Sequence, residues 1–141
     1  MNPPDVLLVE DSAAEARLAL EALREAGSPV CLHIASDGVE AMDFLQRQGV
    51  FNNAPRPSLV LLDLNLPRKD GREVLREIKA DAALRSIPVV ILTTSQAPSD
   101  ILRAYDLSAN CYIQKPLELD GFIRIVKAIQ RYWLGTALLP A

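Results

Sequence analysis

Residues 59–71 read LVLLDLNLPRKDG. Four branched apolar residues, Leu59 to Leu62, run into an acid, Asp63; a turn-forming LNLP follows, and beyond Gly71 apolar residues return at helical spacing as Val74, Leu75 and Ile78. A short apolar run without alternation suits a strand covered on both faces. A strand that leads into an amphipathic helix is the repeating unit of a parallel sheet.

The unit recurs on both sides of this stretch. Val6 to Val9, Val30 to Ala35, Val89 to Leu92 and Tyr112 to Ile113 are further strand-like runs. Between and after them lie helical patterns: Ala16, Leu20, Leu23; Val39, Met42, Leu45; Ile101, Leu102, Tyr105; and Phe122, Val126, Ile129, Trp133. Gly27, Ser28 and Pro29 close the first helix, and Gly49 with NNAPRP separates the second helix from the third strand. Ser12 and Glu15 have the spacing of a capping box. Strict β/α alternation with right-handed crossovers predicts helices on both faces of a five-stranded parallel sheet, in the flavodoxin-like α/β order 2-1-3-4-5. The longest structureless stretch, from Gly49 to Pro57, is expected at the edge opposite the strand carboxyl ends.

The chain has 141 residues, 15 Lys and Arg against 18 Asp and Glu, and a net charge of −3. One domain spanning 1–141 is expected, with a core over 5–133 and an apolar tail over 134–141; its core needs neither disulfides nor a structural metal. An acidic balance without a Lys/Arg block offers nothing to a phosphate backbone or to anionic lipid, so neither nucleic acid nor membrane is an expected partner. Cys31 and Cys111 stand apart inside apolar runs and read as reduced core thiols of a cytoplasmic protein. His33, the single histidine, cannot build a multi-histidine metal site and reads as a partly buried strand residue. The N-terminal segment has no basic region ahead of its apolar run, and no segment has the length of a membrane span.

In such a sheet, ligands bind where the loops after the strands gather. Strand one ends in Glu10 and Asp11, strand three in Asp63, strand four in Thr93 and Thr94, and strand five in Lys115 and Pro116. Each has a structural explanation of its own. Asp11 can cap a helix, Asp63 can end a strand, Lys115 can be a solvated charge, and Thr93 can bond to backbone. Together they are chemically matched. Carboxylates crowded at one edge repel unless a cation sits among them, and hard oxygen ligands without His or Cys favour Mg²⁺, which also accepts a phosphoryl oxygen. A lysine supplies a point charge for that phosphoryl group and a threonine a donor.

With LLVEDS, LVLLDLNLPRKDG, VVILTTS and YIQKP in these places, the chain resembles the receiver domain of two-component response regulators from Asp5 to Trp133. It is most similar to the small stand-alone regulators that partner phytochrome-type histidine kinases, on APRPSLVLLDLNLPRKDGREVL, ILTTS, ANCYIQKP and the YWL tail. The resemblance implies that Asp63 is the phosphoacceptor, that Glu10, Asp11, Asp63 and the backbone carbonyl of Asn65 hold Mg²⁺, and that Lys115 pairs with the phosphoryl group. It further implies that Thr93 is a switch hydroxyl, that Tyr112 is the ring that turns with it, and that a cis peptide joins Lys115 to Pro116. The acidic pair is Glu-Asp, where many receivers have Asp-Asp. Thr94 is bulkier than the small residue common after the switch threonine, which implies tighter access to the phosphate.

These expectations define a binding module controlled by phosphorylation rather than an enzyme. A receiver that binds partners without being phosphorylated is an alternative. An aspartate-nucleophile phosphatase would need an acid/base two residues after its nucleophile, where Asn65 stands, and a flavin or nucleotide carrier would need a phosphate loop where Glu10 and Asp11 stand. The expected partners are a sensor histidine kinase, by the resemblance one of phytochrome type, and a second copy of the chain, bound through the helix 4–strand 5–helix 5 face and the tail with Tyr132, Trp133 and Leu134, followed by Leu138 and Leu139.

Overall fold

The structure, a computed structural model, describes residues 3–27 and 29–140. Ser28, expected to help close the first helix, lies outside the described residues, as does Ala141 at the end of the tail. The elements alternate as expected: β1 (Asp5–Val9), α1 (Ala13–Ala26), β2 (Cys31–Ala35), α2 (Gly38–Gln46), β3 (Leu59–Leu62), α3 (Gly71–Ala80), β4 (Val89–Thr93), α4 (Pro98–Asp106), β5 (Cys111–Gln114) and α5 (Leu119–Trp133). The strands form one parallel sheet in the order β2-β1-β3-β4-β5. The stretch after α2 is not wholly structureless, since a single 3₁₀ turn occupies Gly49–Phe51.

Successive side chains of a strand point to opposite faces, and this divides the core in two. Val6, Leu8, Leu59, Leu61, Val90 and Leu92 meet α1 and α5 through Ala16, Ala19, Phe122, Val126 and Ile129. Leu7, Val9, Val60, Leu62, Val89 and Ile91 meet α2 and α3 through Met42, Leu45, Val74, Leu75 and Ile78. The central strands β3 and β4 are therefore buried throughout and apolar at every position but Thr93 at the end of β4, as a doubly covered sheet requires.

Three expectations about burial are corrected. Cys31 is exposed and Cys111 half-buried, both as free thiols; β2 is an edge strand, so Cys31 has a neighbour strand on one side only. On α4 the periodic residues do not all face the core: Ala104 is buried, whereas Leu102 is 64% and Tyr105 48% exposed. The tail is divided as well, because Trp133 and Leu134 pack against the chain's own α1/α5 core while Tyr132 and Leu138 are exposed. His33 is half-buried as expected, paired with Asp5 at 2.9 Å and tilted against the Phe44 ring.

Candidate metal centre and acidic pocket

The strand ladders continue one residue past the strands, and this fixes where the functional residues begin. The Glu10 amide donates to Ala35 (2.9 Å), the Asp63 amide to Val9 (3.1 Å) and the Lys115 amide to Thr93 (2.6 Å). The register opposes Val9 to Leu62, so Glu10 and Asp63 leave the sheet side by side. Carboxylate oxygens of Glu10, Asp11 and Asp63 lie within 4.8 Å of one another. Glu10 and Asp63 are buried, and Asp11 is exposed at the mouth.

One ammonium serves this cluster. Lys115 is 4% exposed, and its Nζ donates to Glu10 Oε1 and to Asp63 Oδ2 (3.0 Å), with Glu15 Oε1 at 3.3 Å. Burial opposes the charge on Lys115, but the hydrogen bond to Glu10 and the charge of Asp63 more than compensate, and its pKa is pushed up to about 12. Burial dominates at Glu10 too, where it outweighs the hydrogen bonds from Lys115 and the Ser12 amide and holds the carboxyl above its ordinary range. Burial thus works against the charge on both side chains. The carboxylates outnumber the ammonium, and part of their charge is left uncompensated. That deficit and the all-oxygen donor set fit a hard divalent cation, whose ligands at about 2.0–2.6 Å demand oxygens this close together. Glu10, Asp11 and Asp63 are the side chains that would hold it.

The other expected residues stand on or just after β3, β4 and β5. Thr93 ends β4, is fully buried, and its Oγ1 has no hydrogen-bond partner. A buried hydroxyl without a partner costs about 1–3 kcal/mol, so a ligand that supplied an acceptor there would be favoured. Asn65 is exposed, and its amide donates to Asp63 Oδ1 (3.3 Å). Thr94 is exposed beside them. Tyr112 is half-buried and donates from its hydroxyl to the Ser95 carbonyl (2.9 Å). The expected cis bond is not found: no described peptide is cis, and Lys115–Pro116 is trans, the isomer favoured even before proline by about 0.5–1 kcal/mol. The capping box is only half formed. Ser12 Oγ accepts from the Glu15 amide (3.2 Å), but the Ser12 amide donates to Glu10 Oε2 (3.1 Å) rather than to Glu15.

Sequence reasoning missed what seats the Asp63 loop. A Cβ on Gly71 would lie 2.2 Å from the Asp63 carbonyl oxygen, and one on Gly38 would lie 2.0 Å from the Lys69 carbonyl oxygen. The loop from Asp63 to Asp70 is thus gripped at both ends by helix starts that must be glycine. The signal was an Asp-Gly pair before each helical run: Asp37 and Asp70 are the N-caps, and their carboxylates accept from the Glu40 and Arg72 amides. Also missed was a chain of polar contacts across α3 and α4. Arg72 bonds Asp70 (3.3 Å) and Asp100 (2.8 Å), and Asp100 accepts from the Ser95 hydroxyl (2.6 Å). The hydrogen bond from Ser95, then that from Arg72, holds the Asp100 carboxyl below its ordinary range. Ser95 therefore joins the Arg72–Asp100 pair to the Tyr112 hydroxyl.

A parallel 2-1-3-4-5 sheet whose carboxyl edge carries an acidic cluster, a buried lysine and a buried threonine has the features of a phosphoryl-accepting signalling domain. The family model for the response regulator receiver domain matches residues 6–127, and the chain belongs to that family. Response regulator Rcp1 of Synechocystis sp. is 52% identical over 141 residues, which cover 99% of this chain and 96% of that protein. The crystal structure of the Mn²⁺-bound form of Rcp1 superposes with a TM-score of 0.92 at 50% identity, covering 99% of this chain and 100% of that one. The phosphorylated cyanobacterial phytochrome response regulator RcpA gives 0.94 at 50% identity, with 99% of each chain covered.

Proposed function

We propose that Asp63 accepts a phosphoryl group from the phosphohistidine of a sensor histidine kinase, in a pocket that also binds Mg²⁺, and that the product resets a protein-interaction surface. The observation that carries this reading is the buried Lys115 ammonium shared by Glu10 and Asp63 inside a three-carboxylate cluster. Mg²⁺, when bound, offsets negative charge on the carboxylates and on the phosphoryl oxygens.

The chain's own residues do the rest. An Asp63 carboxylate oxygen attacks phosphorus in line, forming the O–P bond as the N–P bond to the kinase imidazole breaks and its electron pair returns to nitrogen. Lys115 donates to a phosphoryl oxygen while its stem stays buried, so little reorganisation is needed. The acyl phosphate adds negative charge beside Thr93, whose unpartnered hydroxyl gains an acceptor. Movement of Thr93 disturbs β4 and the Ser95 turn that follows it, and with them the acceptor of Tyr112. The backbone carbonyl of Asn65 is assigned to the metal by the family resemblance.

The partner kinase is read as a phytochrome-type one, on the similarity to RcpA, and the chain as a single-domain cytoplasmic regulator without catalytic turnover of its own. For output, exposed Leu102, Tyr105, Leu119 and Tyr132 on α4, the α5 start and the α5 end favour a second copy of the chain bound through the α4–β5–α5 face. Uptake of label from a phosphohistidine kinase or acetyl phosphate tests the first claim: the wild type gains one phosphoryl group and Asp63→Asn gains none. Equal uptake by the variant contradicts it. Molar mass with and without beryllofluoride, an aspartyl phosphate mimic, tests the second, and a monomer in both states contradicts it.

A further inference from the structure

We propose that Glu15 is a positioning residue for Lys115, its carboxylate keeping the lysine ammonium beside Asp63 when Glu10 turns to a divalent cation. The inference rests on the reading of Asp63 as phosphoacceptor and adds a residue of α1 to that site.

An ammonium has three N–H donors, and the Lys115 Nζ has three carboxylates around it: Glu10, Asp63 at 3.0 Å and Glu15 at 3.3 Å. Two of them belong to the acidic cluster that fits a cation; Glu15 does not. Both oxygens of Glu10 are already engaged, Oε1 by Lys115 and Oε2 by the Ser12 amide. A cation drawing on Glu10 must weaken one of these bonds, and Asp63 is committed to the incoming phosphoryl group. Glu15 is the remaining carboxylate on the lysine.

Its sequence position alone would give Glu15 another duty, the reciprocal arm of a capping box with Ser12. The Ser12 amide is instead taken by Glu10. The hydroxyl arm uses only the Glu15 backbone amide, so the Glu15 carboxylate is not needed to start α1. At 36% side-chain exposure it keeps its contact with water while reaching an ammonium that is 2% exposed. A lysine stem is flexible and its head a point charge, so a fixed partner outside the metal shell defines where that charge sits during transfer.

The test compares wild type with Glu15→Gln, which keeps the side chain's length and removes its charge. Phosphorylation by acetyl phosphate at saturating Mg²⁺ is followed by intact mass, and exchange of the Lys115 ammonium protons with Mg²⁺ bound is followed by ¹⁵N NMR. Glu15→Gln should be phosphorylated about two- to fivefold more slowly, the range of a partly exposed ion pair. Its Lys115 protons should exchange faster than in wild type, with Mg²⁺ affinity and thermal stability unchanged. A wild-type phosphorylation rate in the variant overturns the inference, as does slower phosphorylation with lysine exchange unaltered, which would assign Glu15 to the helix alone. If the wild type itself takes no phosphoryl group, the phosphoacceptor reading falls and this inference falls with it.

Discussion

At the carboxyl edge of the sheet, Glu10, Asp63, Thr93 and Lys115 are each less than a tenth exposed, whereas Leu102, Tyr105 and Tyr132 on α4 and α5 are roughly half exposed or more. The edge buries charge and a hydroxyl whose demands are only partly met inside the chain. The α4–α5 face does the reverse and leaves apolar area in water. On the proposed reading each region would be completed by one class of partner: a cation and a phosphoryl group at the edge, an apolar surface at the face. Between them run Arg72, Asp100, Ser95 and Tyr112. The proposed switch would then transfer unmet demand from an electrostatic site to a hydrophobic one, through a few polar contacts.

The contrast can be broken most strongly at Lys115. Replacing it as Lys115→Met leaves the transferred group's charge without its buried donor, and the rate of phosphoryl uptake should fall by about 100-fold, the usual effect of deleting such a donor. Mg²⁺ binding should tighten at the same time, because a competing positive charge has gone. Isothermal titration and a phosphorylation time course check the two directions, and a loss of both would mean that Lys115 supports the fold rather than the chemistry.

An effect of the same size in free energy is expected from bound Mg²⁺. At a concentration 100 times its dissociation constant it should raise the unfolding free energy by about 2.7 kcal/mol, and chelation should remove this gain. The gain should shrink on acidification, because Glu10 must be ionised to hold the cation and its carboxyl lies above the ordinary range. Protonation therefore begins to compete at a higher pH than for a surface glutamate. Thermal melts with and without Mg²⁺ across a pH series measure this, and a constant difference down to the ordinary carboxylate range would contradict it.

Gly71→Ala probes the seat of the edge. Its Cβ meets the Asp63 carbonyl, part of the backbone that carries the proposed phosphoacceptor, so a loss of about 1–3 kcal/mol is expected with weakened Mg²⁺ binding. Denaturant unfolding with a binding titration checks it; intact stability would mean that the loop yields easily. The smallest effect is expected at the connection. Arg72→Met should leave Mg²⁺ affinity unchanged and shift the NMR signals of Tyr112, whose acceptor Ser95 loses the Arg72-held Asp100. An unmoved Tyr112 would uncouple the two regions along this route.

These differences also explain what could be read in the sequence. Asp63, Thr93 and Lys115 were legible because a strand end has one place to go: the apolar run fixes the strand, the sheet order fixes its neighbours, and the next polar residue must lie at the edge. Arg72 and Asp100 were not legible, since their pairing depends on how two helix starts face each other, which no periodicity records. Glu15 was visible only as a capping residue, because its approach to Lys115 appears once Glu10 has taken the Ser12 amide. On α4 helical spacing marked a face correctly but not whether anything within the chain covers it. Cys31 was misplaced because an apolar run looks alike in a central strand and at a sheet edge.

The central claim is that a phosphoryl group on Asp63 meets the demand of Thr93 and Lys115. It is tested most directly by a crystal structure of the chain with Mg²⁺ and beryllofluoride. Beryllium is expected bonded to an Asp63 carboxylate oxygen, with fluorides accepting from Thr93 Oγ1 and Lys115 Nζ and an altered Tyr112–Ser95 contact. Beryllofluoride bound elsewhere, or bound at Asp63 with the Thr93 hydroxyl still unpartnered, would contradict it.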